Sequence, residues 1–368
     1  MKKAKKRNPV KVIIIILVLL LLSTSGGIGY VWSMGFNPFE KTRTITTEAG
    51  EIIDYPTSFV KNTGISSWIS RKLGTFEKVE YTTDVYEDGV NYSKYCLVYL
   101  PYNYDPDRTE PYNVVYFQHG HTGDPYVMDR IYSRGYLNNY FALEDTEPYI
   151  IVFTTYYMDP DGDHAQRRKN GEVPAGDGNY PGIPGYFWKE VVQDIIPTVE
   201  SRYNTYSKAD LSDEGIKETR DHRAFSGYSR GGVCTWYMFH NALEYFKWWA
   251  PMSGHCTAGV LPDPNGNSET PYQDVRDSSY SPENAYAYLK ETIDANPDLD
   301  FFIYVTSGRD SDSPKLRAQM QYIVKQTDTF SFGTDPVSNN MYYAVSDFAH
   351  SDWSMPYSLY NIMQVFFK

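Results

Sequence analysis

Basic residues are scarce in this chain once its first eleven positions are set aside. The 368 residues include 34 Lys and Arg and 46 Asp and Glu. Six of the 34 basic residues fall within residues 1–11, which contain no acid, so the remainder carries 28 basic against 46 acidic residues, a net charge of −18. Because binding to nucleic-acid phosphates requires a basic face, this balance argues against a nucleic-acid partner.

Cysteine is nearly absent, and no repeat or low-complexity tract occurs. Cys96, Cys234 and Cys256 are an odd number in separate core-like segments, so they predict buried free thiols rather than a disulfide framework. His119 and His121 lack an accompanying Cys/His cluster, and two histidines at positions i and i+2 make a poor zinc site. We therefore predict no metal site and no cofactor.

The unbroken aliphatic run of the chain lies at its N-terminus. Basic residues precede eleven consecutive apolar residues at 12–22. From there to residue 32, Ser, Thr and Gly are interspersed among the apolar residues. This pattern is typical of an export signal, although residues 12–32 also have the length of a bilayer span. We predict that residues 1–32 are a cleaved signal peptide or a retained anchor, and that the remainder is extracellular or at the cell surface.

Residues 227–231, Gly-Tyr-Ser-Arg-Gly, are the most informative segment. An apolar stretch that predicts a strand precedes them, and an apolar stretch that predicts a helix follows. A G-x-S-x-G sequence at a strand-to-helix junction is typical of the nucleophile elbow of serine hydrolases, where glycines leave room for a tight turn. The pentapeptide alone would also fit an ordinary glycine turn, but its flanking segments favour Ser229 as a nucleophile.

Three histidines follow Ser229, and in this class of hydrolase the base comes after the acid in the chain. His240 falls inside the predicted helix, and His255 comes too early, directly after the next predicted strand. His350 follows a predicted strand at 341–345 and precedes an amphipathic segment. We therefore predict His350 as the catalytic base.

The catalytic acid is expected just after the predicted strand at 301–306, because catalytic groups gather at the carboxyl ends of strands in open α/β sheets. Asp310 and Asp312 both meet this condition. We prefer Asp310 as the acid and interpret Asp312 as part of a polar turn.

The oxyanion hole requires two backbone N–H groups, one after the nucleophile and one from the loop after an earlier strand. A predicted strand at 112–118 runs directly into His119. We therefore predict that the amides of Arg230 and His121 donate to the oxyanion, and that His119 supports the loop.

Several further motifs accompany these residues in a fixed order. They are Val98-Tyr99-Leu100-Pro101, His119-Gly120, Asp194-Ile195-Ile196-Pro197, Glu200-Ser201-Arg202-Tyr203, residues 227–232, Pro251-Met252-Ser253-Gly254, and His350 with Trp353. Together they resemble the esterase D-like esterases, most closely the feruloyl and acetyl xylan esterases of the first carbohydrate esterase family, which include esterase domains attached to bacterial xylanases. The resemblance runs from about Glu77 to Phe367.

The resemblance implies Ser229 as nucleophile, His350 as base and Asp310 as acid, since residues 306–310 look like the Thr-Gly-x-x-Asp segment of the family. Two positions depart from the family pattern. Arg230 stands where the family usually has Met, and His121 stands where a small or apolar residue is common.

The predicted strands alternate with predicted helices. One helix directly follows the elbow, and the others are at 188–203, 282–295, 314–327 and 353–367. This alternation predicts a mostly parallel sheet with helices on both faces. Residues 75–99 instead predict an antiparallel hairpin, turning at Asp88-Gly89, as the leading edge of the sheet. We expect one α/β-hydrolase domain at 75–368, preceded by a linker at 33–74.

Tyrosine is unusually abundant, at 35 residues. Aromatic faces suit sugar rings and phenolic acyl groups, so we predict that Trp353, Tyr156 and Tyr157 line a substrate cleft. With the resemblance, this implies an exported serine carboxylesterase acting through an acyl-enzyme on feruloyl or acetyl esters of plant-type oligo- or polysaccharides. The alternatives are an acyltransferase on the same scaffold and a non-catalytic surface carbohydrate-binding protein. The acyl group, the glycan and the oligomeric state stay open.

Overall fold

The computed structural model describes residues 43–46, 52–55, 73–86, 89–121, 123–129, 131–142, 147–158, 182–257, 281–308, 314–345, 350 and 354–368. Within these ranges the strands are β1 Arg43–Thr46, β2 Ile52–Tyr55, β3 Thr75–Thr83, β4 Tyr92–Leu100, β5 Val114–Gln118, β6 Ile150–Thr154, β7 Arg223–Tyr228, β8 Trp248–Met252, β9 Phe302–Ser307 and β10 Met341–Val345. The α-helices in the same ranges are α1 Ile131–Ala142, α2 Gly182–Glu190, α3 Ile196–Glu200, α4 Asp213–Glu218, α5 Arg230–Ala242, α6 Pro282–Ala295, α7 Pro314–Ile323 and α8 Ser354–Met363.

One sheet contains β3 to β10 in the order β10-β9-β8-β7-β5-β6-β4-β3. The neighbours from β10 through to β6 are parallel, whereas β4 runs antiparallel to both β6 and β3. Gly89 lies between β3 and β4 with φ of 78°, a conformation that glycine adopts without a steric penalty. The mostly parallel sheet with an antiparallel leading edge is thus confirmed.

The strands β1 and β2 pair with each other in a separate antiparallel sheet. Both lie within residues 33–74, the segment that the sequence predicted to be a linker. That prediction therefore did not anticipate their pairing.

Both faces of the large sheet are buried under apolar layers. On neighbouring strands, Phe225 and Trp249 face one layer, and Ala224 and Trp248 face the other, as the two-residue period of a strand requires. The first layer includes side chains of α2, α5, α6 and α7, and the second includes side chains of α1 and α8. The helices therefore cover both faces, as predicted, and the loops that follow the parallel strands meet at one end of the sheet.

The helical segment before β7 differs from the prediction of one helix at 188–203. It begins earlier, at Gly182, and Pro184 falls in its first turn, where a missing N–H costs little. Between α2 and α3 the turn at Val191–Ile195 widens into a π-helix, in which the N–H of Ile196 donates to the carbonyl of Val191. Pro197 explains the widening, since its ring lacks an N–H and clashes with the carbonyl four residues earlier.

A buried ion pair lies at the amino end of β7. The Nε of Arg223 lies 2.6 Å from Oε1 of Glu200, and both side chains are almost completely inaccessible. The hydroxyls of Tyr116 and Ser207 also donate to the Glu200 carboxylate. Because a buried charge is tolerated only with its partner in place, the pair fixes α3 against β7.

Glu200→Gln should lower the free energy of unfolding by about 3–5 kcal/mol, because it leaves the Arg223 cation buried without its counter-charge. Urea denaturation measures this loss. Asp294→Asn is the matched control, since it breaks an exposed ion pair with Lys290 and should leave the midpoint nearly unchanged. Equal midpoints for the two variants would contradict the assignment.

The three cysteines are buried thiols, as predicted. Burial raises the pKa of the Cys96 thiol to about 12, so this group stays protonated and unreactive. Across the described ranges no helix combines the length and apolar character that a bilayer crossing needs. The predicted leader at residues 1–32 lies outside those ranges.

Candidate active site

Ser229 occupies a sharp turn between β7, which ends at Tyr228, and α5, which begins at Arg230. Its φ of 57° and ψ of −113° are strained for a residue with a side chain. The turn is held on both sides: the N–H of Ser229 donates to the carbonyl of Met252 at 2.8 Å, and its carbonyl accepts from the N–H of Val233 at 3.1 Å. This is the geometry of a nucleophile elbow.

The two glycines of the pentapeptide are required by close backbone contacts. A Cβ placed on Gly227 would clash with the carbonyl of Gly231, and one placed on Gly231 would clash with the carbonyl of Gln118. Neither position therefore tolerates a side chain while the elbow keeps its shape.

His350 lies next to the nucleophile although 121 residues separate the two in the chain. Its Nε2 is 2.8 Å from the Oγ of Ser229, and its exposed ring lies against the ring of Tyr228, with the centroids 5.1 Å apart. His350 follows β10, which runs parallel to β9 within the same sheet. The imidazole is thus within hydrogen-bonding distance of the hydroxyl whose proton a general base must accept.

The other two histidines after Ser229 have different surroundings. The Nδ1 of His240 lies 2.7 Å from the Oγ1 of Thr292, and its ring stacks on Tyr288, so it is a helix-face histidine as predicted. His255 is largely buried, and this burial, with smaller effects of Lys315 and Arg230, lowers its pKa to about 4. His255 is therefore neutral at ordinary pH.

The predicted acids Asp310 and Asp312, like the predicted substrate residue Trp353, lie outside the described residues. The strand β9 ends at Ser307, shortly before these carboxylates in the sequence. Its parallel neighbour β10 ends at the same end of the sheet, shortly before His350 in the sequence. The choice between Asp310 and Asp312 stays a prediction.

Asp310→Asn should lower kcat by roughly a hundredfold or more, because an amide holds the imidazole in the wrong tautomer. Asp312→Asn should have little effect and serves as the matched control. Steady-state kinetics on one ester compares them. The reverse pattern would make Asp312 the acid, and small effects in both variants would place the acid elsewhere.

The loop after β5 approaches the nucleophile because β5 and β7 are neighbouring parallel strands. A Cβ on Gly120 would lie 3.4 Å from the Cβ of Ser229. The backbone that leads into the His121 amide therefore passes beside the nucleophile, and the Arg230 amide begins α5 directly after it. The assignment of these two amides as the oxyanion donors stays a prediction.

The side chain of His119 stabilises this loop through hydrogen bonds. It is buried, its Nδ1 donates to the carbonyl of Gly120 at 2.7 Å, and its Nε2 lies 2.8 Å from the Oγ1 of Thr155. The neutral tautomer with its proton on Nδ1 satisfies both contacts. Within the described ranges, no three metal-ligating side chains converge on a common point.

Tyr156 and Tyr157 lie behind the same loop rather than in an open cleft. Their side chains are 0% and 1% exposed. The hydroxyl of Tyr156 donates to the carbonyl of Gly120 at 3.3 Å, and that of Tyr157 donates to the carbonyl of His121 at 3.1 Å. The expectation that these rings stack on a ligand is corrected here, since their faces are covered by protein and their hydroxyls hold the loop. Both residues come after Thr155 at the carboxyl end of β6, the parallel neighbour of β5, and this position brings them to the loop that follows β5.

The Esterase family, described as "Putative esterase", matches residues 91–355 of the chain. The chain is also 26% identical over 306 residues to endo-1,4-beta-xylanase Y of Acetivibrio thermocellus. The match covers 80% of this chain but only 23% of that xylanase, so the chain spans about a quarter of its relative's length.

Solved structures of esterases have a similar fold. A serine-to-alanine variant of the feruloyl esterase module from Clostridium thermocellum, complexed with sinapinate, matches with a TM-score of 0.64 at 22% identity, covering 89% of this chain and 96% of the module. A ferulic acid esterase from the anaerobic fungus Anaeromyces mucronatus matches with a TM-score of 0.53 at 17% identity, covering 85% of this chain and 98% of that one. With the match over residues 91–355, the chain belongs to the Esterase family of serine ester hydrolases, and its fold is that of an α/β-hydrolase.

Proposed function

We propose that this protein is an exported serine carboxylesterase that removes feruloyl-type acyl groups from plant-type oligo- or polysaccharides. The observation that carries the proposal is the 2.8 Å contact between the Nε2 of His350 and the Oγ of Ser229 on a strained elbow. The similarity to a feruloyl esterase module and to a xylanase supports the choice of substrate class.

Acylation would begin when the Oγ of Ser229 attacks the ester carbonyl while the Nε2 of His350 accepts the hydroxyl proton. The carbonyl oxygen becomes an oxyanion, which the amides of Arg230 and His121 stabilise by donating hydrogen bonds. When the tetrahedral intermediate collapses, the sugar oxygen leaves and takes the proton from His350. The acyl group then remains as an ester on Ser229.

Deacylation would repeat these steps with water as the nucleophile. His350 accepts a proton from water as the water oxygen attacks the acyl carbonyl, and the same amides stabilise the second oxyanion. Collapse releases the carboxylic acid and returns the proton to the Oγ of Ser229. Asp310 would orient the imidazole and stabilise its cationic form in both halves.

Kinetics on feruloylated xylo-oligosaccharides, acetylated xylan and p-nitrophenyl acetate test the substrate class. We expect higher kcat/KM for feruloylated oligosaccharides, because an aromatic acyl group and a sugar both contribute binding that acetate lacks. Trp353→Ala should weaken turnover of the larger esters selectively, whereas Trp353→Phe, which keeps a ring, should retain most of the difference. Equal kcat/KM on all three substrates, unchanged by Trp353→Ala, would reduce the proposal to a general carboxylesterase.

Export is proposed from residues 1–32, which carry basic residues followed by an apolar run. We favour a retained anchor, because no alanine-type cleavage site follows Leu22. Amino-terminal sequencing of the protein from the membrane and the medium decides between the outcomes. A start near Gly26 would indicate a freely secreted enzyme, and recovery from the cytosol alone would overturn export.

A further inference from the structure

Arg230 directly follows the nucleophile in the chain. It is the first residue of α5, and its side chain is only partly exposed. Its Nη1 lies 3.5 Å from the Nδ1 of His121, a distance at the outer limit of a hydrogen bond. Its Nε is buried and has no hydrogen-bond partner in the described part of the chain. The guanidinium is therefore held near the oxyanion loop without strong fixation.

The residues that the structure describes provide no counter-charge for Arg230. Among the residues that the structure describes, no Asp or Glu carboxylate lies within ion-pair distance of its guanidinium. By contrast, Arg220 and Arg223, which are also largely buried, both pair with carboxylates. Partial burial of a cation without an anion costs free energy. Acidic residues outnumber basic ones in this chain, so carboxylates are not in short supply.

Two histidines come from the loops on either side of the turn that carries Arg230. His121 comes from the loop after β5 and His255 from the loop after β8, on either side of the elbow. Gly254, directly before His255, packs so closely on the carbonyl of Ser229 that a Cβ there would clash with it, so this loop lies beside the elbow. Burial lowers the pKa of the His255 imidazole, and the positive charges of Lys315, in the first turn of α7, and Arg230 lower it further. A neutral imidazole such as that of His255 can donate an N–H group to an anion without adding a positive charge next to the guanidinium.

We propose that the Arg230 guanidinium, flanked by His121 and His255, forms an anion-binding subsite that receives a carboxylate carried by the ester substrate. The inference rests on the proposed function and narrows its substrate class to acidic esters. A planar guanidinium fits a carboxylate with two parallel hydrogen bonds, which a flexible neutral side chain does not offer. The carboxylate can belong to the acyl part, as in a half-ester of a dicarboxylic acid, or to the sugar part, as in a uronic acid.

Two substrate pairs separate these sources. For the acyl side, mono-p-nitrophenyl succinate is compared with p-nitrophenyl butyrate, which has the same chain length without the charge. For the sugar side, acetylated xylo-oligosaccharides with a glucuronic acid branch are compared with the same compounds after reduction of the carboxyl group. The wild-type chain should prefer the charged member of at least one pair, as measured by kcat/KM.

Arg230→Met should reduce that preference by about tenfold to a hundredfold, the range of a charge-assisted hydrogen bond. Arg230→Lys should keep part of the preference, because it keeps the charge but not the planar fork. Arg202→Met is the matched control: Arg202 is exposed, near the bridge between Thr205 and Tyr112 at the amino end of β5, and its loss should leave both ratios unchanged.

The outcomes are distinct. If Arg230→Met lowers kcat/KM equally for charged and neutral esters, the guanidinium supports the oxyanion rather than the substrate, and the inference is wrong. It is also wrong if the wild-type chain shows no preference in either pair. If the wild-type chain hydrolyses no ester in any pair, the proposed function itself fails and the subsite falls with it.

Discussion

Ser229→Ala should lower kcat/KM for ester hydrolysis by about a thousandfold or more, because the methyl group cannot form the acyl-enzyme. The fold should be unaffected. Ser229 lies on the elbow rather than in the apolar core, and its N–H and C=O hydrogen bonds to Met252 and Val233 do not involve the hydroxyl. Initial rates on p-nitrophenyl acetate and methyl ferulate measure the loss, and a thermal melt checks that the variant is folded.

Ser201→Ala is the control for this experiment. Ser201 directly follows α3, is exposed, and donates its hydroxyl to the carbonyl of Thr198, so its replacement should leave the rates unchanged. Retention of a tenth of wild-type activity in Ser229→Ala would rule out the covalent mechanism.

His350→Gln should cause a loss of similar size, about a thousandfold or more, because the amide can hydrogen-bond the Oγ of Ser229 but cannot accept and return its proton. His350 is exposed, so the melting temperature should change little. The same rate measurements apply. The loss should appear in kcat, since proton transfer belongs to the chemical steps rather than to substrate binding.

His222→Gln is the matched control. His222 lies just before the amino end of β7, at the opposite end of the strand from Ser229, and its Nδ1 contacts the side chain of Asn113. Full activity in His222→Gln together with the loss in His350→Gln would assign the base. A small effect of His350→Gln would contradict the proposed proton transfer.

The parts of the fold that could be predicted had strong local signals. The predicted helix at 282–295 coincides with α6, because Pro282 starts it and the Oγ of Ser281 caps it by accepting from the N–H of Asn284. The strands β7 and β10 were apparent from apolar runs bounded by turns or polar segments. By contrast, β6 had no counterpart among the predicted strands, because a fully buried run of five apolar residues is ambiguous without its neighbours.

The pairing of Ser229 with His350 follows from chain order in a fold with parallel strands, and so could be predicted once that fold was assumed. The burial of Tyr156 and Tyr157 could not, because an aromatic residue after a strand can face a ligand or the loop beside it. Which side it takes depends on packing from distant segments. The surroundings of Arg230 could not be predicted for the same reason, because they combine loops after three different strands.

Mass spectrometry of the acyl-enzyme tests the central claim most directly. The purified chain is mixed with p-nitrophenyl ferulate, quenched in acid within the first turnover, and digested for peptide mapping. We predict a mass increase of one feruloyl group on the peptide that contains Ser229, and none in Ser229→Ala. An acyl group on another side chain, or turnover by the wild-type chain with no acylated species under single-turnover conditions, would contradict the assignment of Ser229 as the nucleophile.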